Sequence, residues 1–152
     1  MSEILHRFDL GIFSPIEVSA ASGLDNAILA LRFVGTYGHG SRGNGDGIFM
    51  RASVAAYCAA TNPICLVLDL LDLQYEWGNT ISGAINFFKE FGRDESEYDQ
   101  LVVIVARGKT REALEGLVRF LSGGRRVFCE SVDEALIIAR REVEEFLVDA
   151  VE

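Results

Sequence analysis

The sequence predicts an α/β domain with a mixed sheet, in which an N-terminal hairpin precedes parallel central strands and the helices lie mainly on one face. Two observations lead to this prediction. Apolar stretches flank a turn-forming segment at residues 23–26, and continuously apolar segments at residues 64–68 and 101–105 are each followed by helical periodicity. The 152 residues fit one domain, which we expect to span residues 1–152.

The first third of the chain predicts strands. Residues 6–13 (HRFDLGIF) form a short, mixed segment. The stretches PIEVSAAS and AILALRFVG then flank Gly-Leu-Asp-Asn, residue types that favour a tight turn. We therefore expect a hairpin, and Arg32 should point outward from its second strand.

A glycine-rich segment follows the hairpin. It holds six glycines between Gly35 and Gly47, and we expect neither a helix nor a regular strand there. Asp46 is then predicted to cap a helix that continues to about Thr61 and ends before Pro63.

Two central strands and one helix occupy the middle of the chain. ICLVLDLLDL is the strongest strand, because its apolar run is typical of a strand covered on both faces. A second helix is predicted to start near Asn79, and LVVIVARG is the next central strand. The predicted buried stripe of that second helix is Ile81, Ala84, Ile85 and Phe88.

The last third predicts two helices around a short strand. Thr110 is expected to cap the first helix, and RRVFC is expected to lie near an edge of the sheet. Ser131 and Glu134 form a capping-box signature for the last helix. The predicted inner face of that helix is Val132, Leu136, Ala139, Val143, Phe146 and Ala150.

Composition excludes several classes of protein. No apolar run is long enough for a membrane span, and the N-terminus lacks the features of an export signal, so we expect a cytoplasmic protein. The net charge of -9 would repel nucleic acid and anionic membranes. The three cysteines match no metal-ligand spacing and are expected to be buried thiols, and neither a metal nor a cofactor is expected.

Several local patterns together resemble the STAS domain, the fold of bacterial anti-sigma factor antagonists and of the cytoplasmic tails of sulfate transporters. They are LRFVG, the VLDL of residues 67–70, TREALEGLVRFL and the SVDEAL of residues 131–136, and the resemblance covers roughly residues 28–148. It implies a bacterial regulatory module that binds a protein partner of the kinase, sensor or anti-sigma type.

The resemblance also implies where the partner docks, at the start of the second helix. Antagonists that switch partners carry Asp-Ser-Ser/Thr-Gly there, and a kinase phosphorylates the hydroxyl residue. This chain has YEWGNTISG at residues 75–83 instead. The implied partner-binding residues are Tyr75, Trp77, Asn79, Thr80 and Ser82, with Thr80 and Ser82 as possible phosphorylation sites.

The two aromatic residues of this stretch are the strongest candidates for partner contact. Alternation predicts that Tyr75 and Trp77 lie on the same side of the turn, where exposed aromatic residues are typical interface anchors. In the alternative, both pack beneath the second helix. Asn79 and Thr80 could also simply cap that helix.

Two other functions remain open from the sequence. One is an acidic inhibitor or immunity-type protein that uses residues such as Glu95, Glu97 and Asp99 against a basic partner. The other is a small enzyme that binds an anion or nucleotide at the glycine-rich loop. His39, Arg42 and Asp46 would serve that site, although the glycine spacing fits neither a P-loop nor a dinucleotide fingerprint. We therefore favour binding over catalysis and assign no catalytic residue.

Overall fold

The computed structural model describes residues 13–91 and 100–151. The strands are β1 (Glu17–Gly23), β2 (Ile28–Thr36), β3 (Cys65–Asp69), β4 (Leu73–Gln74), β5 (Leu101–Val105) and β6 (Arg125–Cys129). The helices are α1 (Asn44–Thr61), α2 (Ser82–Ile85), α3 (Phe87–Phe91), α4 (Gly108–Val118) and α5 (Val132–Val151).

The strands form one mixed sheet in the order β1-β2-β3-β5-β6, with β4 paired to the end of β2. β1 and β2 are antiparallel, whereas β2, β3, β5 and β6 pair in parallel. The predicted hairpin, parallel centre and edge position of β6 are therefore confirmed.

The hairpin turn uses backbone conformations that most residues avoid. Leu24, Asp25 and Asn26 all have positive φ, a region that Asn and Asp tolerate better than other non-glycine residues. Arg32 is exposed, as predicted, and forms an ion pair with Asp72.

Helices cover both faces of the sheet. Leu66 and Leu68 of β3 face the core under α1 to α4, whereas Cys65 and Val67 face α5. Side chains of a strand alternate between the faces, so the unbroken apolar run of β3 is explained by its burial on both sides. The prediction that most helices share one face is confirmed, and among the helices that the structure describes α5 alone covers the other.

Four local predictions need correction. The glycine-rich segment is partly helical, because a 3-10 turn spans Gly40–Gly43 and α1 already begins at Asn44. The predicted second helix is divided into α2 and α3 at Asn86, although Ile81, Ala84 and Ile85 are buried as expected.

The third correction concerns Thr110, which does not cap α4. That helix begins at Gly108 after Arg107. By contrast, the capping signature of α5 is confirmed, because the backbone N–H of Glu134 donates to the Ser131 hydroxyl over 3.1 Å. Ala150, predicted on the inner face of α5, is exposed instead, one residue before the end of the helix.

The remaining expectations concern the cysteine thiols, membrane-spanning helices and the acidic cluster. Cys58, Cys65 and Cys129 are free and buried, as predicted. No described helix is long and apolar enough to cross a membrane. The strand expected at residues 6–13 and the acidic residues Glu95, Glu97 and Asp99 lie almost entirely outside the described residues.

Candidate functional site

Trp77 lies at the end of the sheet where the parallel strands β2 and β3 finish. After β3 the chain forms β4 beside the end of β2, and the backbone N–H of Tyr37 donates to the carbonyl of Gln74 over 2.8 Å. This pairing fixes the start of the 75–81 segment. The Trp77 side chain then projects outward and is 59% exposed.

Tyr75 does not accompany Trp77 on the surface, so the prediction of two exposed aromatic anchors is wrong for Tyr75. Its side chain is only 2% exposed, and its hydroxyl donates to the carbonyl of Gly78 over 2.6 Å. The ring packs edge-on against Tyr37, with 5.3 Å between the centroids. Burial, followed by the nearby Tyr37 phenol, raises the pKa of Tyr75 to about 12. Tyr75 therefore supports the turn from beneath.

The indole of Trp77 packs against the backbone of the glycine-rich segment. A Cβ atom on Gly40 would lie 2.5 Å from the Cη2 atom of Trp77, so only glycine permits this contact. Gly40 also has φ of +56°, and its N–H donates to the Trp77 carbonyl over 3.4 Å. Trp77 and the loop therefore form one packed surface.

Thr80 joins the turn to the start of α1. Its hydroxyl donates to the carbonyl of Gly43 over 3.1 Å and contacts the hydroxyl of Tyr37. Since the single Thr80 proton goes to Gly43, the Tyr37 hydroxyl must be the donor in the second bond. A Cβ on Gly47 would lie 2.5 Å from Thr80, so a glycine is required for this approach too.

Tyr37 is the buried centre of these contacts. It is 1% exposed, and burial is the main cause that raises its pKa, partly opposed by the hydrogen bond with Thr80. A Cβ on Gly43 would lie 2.3 Å from the Tyr37 ring. The glycines of this segment thus serve close packing around an aromatic ring.

The residues suggested for an anion site have other roles in the structure. Asp46 is 6% exposed, and its carboxylate accepts hydrogen bonds from the backbone N–H of Gly38 over 2.8 Å and from the Ser14 hydroxyl. The Nε2 atom of His39 lies 3.0 Å from the carboxylate of Glu76. An inward-facing carboxylate and an acidic partner of His39 both disfavour a bound anion.

Arg42, the third residue of that suggestion, is exposed within the 3-10 turn. The ring of His39 lies 6.2 Å from that of Trp77 and tilted against it. We define the Trp77 surface as Trp77 with its exposed neighbours His39, Glu76 and Asn79.

Among the described residues, no cluster of three or more His, Cys, Asp or Glu could hold a metal ion.

Thr110 ties α4 to the same region. Its hydroxyl donates to the carbonyl of Leu73 over 3.0 Å and accepts from the backbone N–H of Tyr75 over 3.2 Å. These bonds satisfy backbone groups just after the short strand β4. The threonine that resembled a helix cap therefore positions the turn that carries Trp77.

The hydroxyl groups of Thr80 and Ser82 differ in their hydrogen bonds. The Thr80 hydroxyl is engaged by Tyr37 and Gly43, whereas the half-buried Ser82 hydroxyl has no hydrogen-bond partner among the described residues. Asn79 is exposed, and its carbonyl accepts from the backbone N–H of Ser82 over 3.1 Å. Ser82 is therefore the residue whose hydroxyl is not engaged in a hydrogen bond with another described residue.

Sequence reasoning did not find Tyr37, Gly40, Glu76 or Thr110 as parts of this site. The abundance of glycine between residues 35 and 47 was a signal of close packing, but it did not indicate which side chains approach. Two of those side chains, Trp77 and Thr80, come from a separate segment of the chain.

The architecture is that of an α/β protein with a hairpin at one edge and parallel strands covered by helices on both faces. No protein-family model matches the sequence, and no curated protein matches it as a relative. The structure is similar to that of an anti-sigma factor antagonist from Mycobacterium paratuberculosis, with a TM-score of 0.54 and 18% identity. The match covers 84% of this chain and 97% of that chain.

A further solved structure, an uncharacterized protein of the DUF3478 family with a SpoIIAA-like fold from Shewanella loihica PV-4, matches with a TM-score of 0.47 and 18% identity. That match covers 82% of this chain and 93% of the other. The likeness to the antagonist from Mycobacterium paratuberculosis confirms the predicted STAS-like fold.

Proposed function

We propose that this protein is a regulatory protein-binding module of the STAS type, which docks its partner through the Trp77 surface. The observation that carries the proposal is the exposed indole of Trp77, 59% accessible and held on Gly40. A large aromatic side chain on a rigid base has little conformational entropy to lose on binding. Its partner would be a protein of the kinase, sensor or anti-sigma type, met in the cytoplasm.

The surroundings of Trp77 have the composition of a docking site. An apolar anchor lies among polar groups that can make directional contacts, namely the His39–Glu76 pair and the exposed amide of Asn79. Interfaces combine a desolvated aromatic centre with a polar rim in the same way. The buried Tyr75 and Tyr37 beneath hold the shape of the surface in the free protein, which lowers the cost of ordering it.

Phosphorylation at Ser82 is part of the proposal, with Thr80 as the second choice because its hydroxyl is already hydrogen-bonded to Gly43 and Tyr37. A phosphate there would add a charge of about -1.5 to -2 next to the docking surface. The aliphatic part of Arg51 lies against Gly83, at 3.0 Å from a Cβ built on that glycine. A cationic side chain is therefore close to the proposed phosphate position, while the added charge would oppose apolar docking.

Direct binding measurements with purified candidate partners test the docking. The candidates are kinase, sensor and anti-sigma proteins encoded near the gene, titrated calorimetrically against the wild type and Trp77→Ala. We expect Trp77→Ala to weaken binding at least about thirtyfold, as for a hot spot worth about 2 kcal/mol.

The matched control replaces another exposed aromatic residue. Phe120 is 88% exposed and follows α4 at the opposite end of the sheet, so Phe120→Ala should bind like the wild type. Equal loss in both variants, or no loss in Trp77→Ala, would remove the Trp77 surface from the proposal.

The phosphorylation step has its own test. A kinase that binds the protein should transfer phosphate to the wild type and to Thr80→Ser, but not to Ser82→Ala, as read by mass spectrometry. Ser82→Glu should weaken partner binding while Ser82→Ala leaves it unchanged. Transfer that continues in Ser82→Ala would place the modification on another residue.

A further inference from the structure

The solvent face of α5 carries a stripe of four exposed residues. Ile137 and Val148 are 60% and 59% exposed, and Arg141 and Glu144 lie between them. Their spacing of four, three and four residues places all four side chains on one line along the helix. This line points away from the sheet, because Ala135, Ala139 and Val143 on the opposite side of α5 are buried against it.

The charges near this stripe have no ion-pair partner among the described residues. In the part of the chain that the structure describes, Arg140, Arg141, Glu144 and Glu145 take part in none of the ion pairs. Each arginine does have a glutamate four residues further on, but a base that precedes an acid along a helix is the less favourable order. Arg111 and Glu115 on α4 do form such a pair, at 2.8 Å.

The stripe is complementary in charge to its own reverse. It runs apolar, basic, acidic, apolar, so reversal of its direction exchanges Ile137 with Val148 and Arg141 with Glu144. We propose that α5 is a self-association surface on which a second copy of this chain docks antiparallel, related by a two-fold axis near the middle of the stripe. In such an isologous contact a surface must be complementary to itself, and this one is.

The antiparallel arrangement satisfies every member of the stripe. Ile137 of each copy packs against Val148 of the other, and Arg141 of each copy pairs with Glu144 of the other. Arg140 and Glu145 lie on the two sides of the stripe, and the same two-fold axis places Arg140 of each copy near Glu145 of the other. A parallel arrangement would instead bring like charges together, which is unfavourable.

This contact is independent of the docking proposed above. α5 covers one face of the sheet, whereas Gly40, Gly43 and α1 belong to the other side of the molecule, so both Trp77 surfaces of a dimer remain accessible. The net charge of -9 on each copy opposes association at long range. We therefore expect a reversible, concentration-dependent dimer.

Charge reversal tests the proposal with a defined pattern of outcomes. In sedimentation velocity across a concentration series, the wild type should show a monomer–dimer equilibrium. Arg141→Glu and Glu144→Arg should each dimerise at least about tenfold more weakly, because each puts like charges opposite each other. When the two variants are mixed, opposite charges face each other again, and native mass spectrometry should detect their heterodimer.

Matched controls reverse charges on another helix. Lys109→Glu and Glu112→Arg change the net charge by the same amounts at exposed positions of α4 and should dimerise as the wild type does. Circular dichroism checks that each variant is folded. A wild type that stays monomeric throughout, a dimer that tolerates both single reversals, or a mixture that forms no heterodimer would each overturn the proposal.

Discussion

Gly40 lies directly against the indole of Trp77, where a Cβ atom would come within 2.5 Å of Cη2. The two residues belong to separate segments, the loop after β2 and the turn after β4, and each determines the position of the other. The turn can present an exposed tryptophan in one defined position because the loop offers a flat, side-chain-free contact. Several consequences can be measured.

Gly40→Ala should displace the indole and destabilise the loop. The added methyl group overlaps the ring, and φ of +56° is unfavourable for alanine, so we expect the free energy of unfolding to fall by about 1–2 kcal/mol. Trp77 is the only tryptophan, so an increase in its acrylamide quenching reports the displacement. Gly116→Ala is the control, because nothing lies within 4 Å of a Cβ there, and it should leave the quenching unchanged.

Trp77 and Tyr75 should contribute differently to stability although they are neighbours in sequence. Trp77→Ala should lower the free energy of unfolding by about 1–2 kcal/mol, since most of its side chain is already exposed. Tyr75→Ala should cost about 3–5 kcal/mol, because it removes a buried ring. Urea unfolding measures both values. A larger loss for Trp77→Ala than for Tyr75→Ala would mean that Trp77 belongs to the core.

Thr80→Val should destabilise the junction between the turn and α1. Valine has nearly the same shape but leaves the Gly43 carbonyl without its donor and the Tyr37 hydroxyl without its acceptor. We expect a loss of about 1–3 kcal/mol in the free energy of unfolding. Thr80→Ser keeps the hydroxyl and should lose clearly less. If both variants lose the same amount, the methyl group of Thr80 rather than its hydroxyl is responsible.

The cysteine thiols should be unreactive in the native protein. Burial raises the pKa of Cys58 and of Cys65 to about 12, and it also raises the pKa of Cys129. Only thiolates react with a disulfide reagent, so labelling at pH about 8 should be slow until urea unfolds the chain, when three thiols react. Rapid labelling of one thiol without denaturant would show that its site opens easily.

Stability should decline at alkaline pH. The folded pKa values of about 12 for Cys58, Cys65 and Tyr75 lie above the ordinary 9.0 for Cys and 10.0 for Tyr. The folded protein therefore holds protons that the unfolded chain releases, and this contribution is complete below about pH 9 and lost as the pH rises through 12. Urea unfolding at a series of pH values measures the decline, which should be shallower in Tyr75→Phe. A flat profile above pH 9 would contradict these pKa shifts.

Much of the fold could be predicted from residue patterns, because its signals are local or periodic. The hairpin turn at residues 23–26, the apolar runs of β3 and β5 and the Ser131 cap of α5 were all recognisable in the sequence. Residue patterns gave wrong predictions where a side chain bonds to a partner distant in sequence. Thr110 has the residue type of a helix cap, but its hydroxyl bonds with Leu73 and Tyr75 instead.

Within the segment proposed as the docking site, the sequence did not predict which of the two aromatic side chains is exposed. Alternation predicted the same exposure for Tyr75 and Trp77, yet a turn is not a strand and does not keep the two-residue period of side-chain direction. The glycine-rich loop was interpreted through its flexibility, whereas its glycines are required where Tyr37, Trp77 and Thr80 approach the backbone.

The sequence by itself determined the class of fold and the order of its elements, because burial of apolar side chains imposes periods of 2.0 and 3.6 residues that remain visible in one dimension. Only the tertiary structure decided which side of the 75–82 segment faces solvent. That choice depends on the space left between β2, α1 and α4, and on hydrogen-bond partners such as Gly43 and Thr110 that no local pattern connects to the segment.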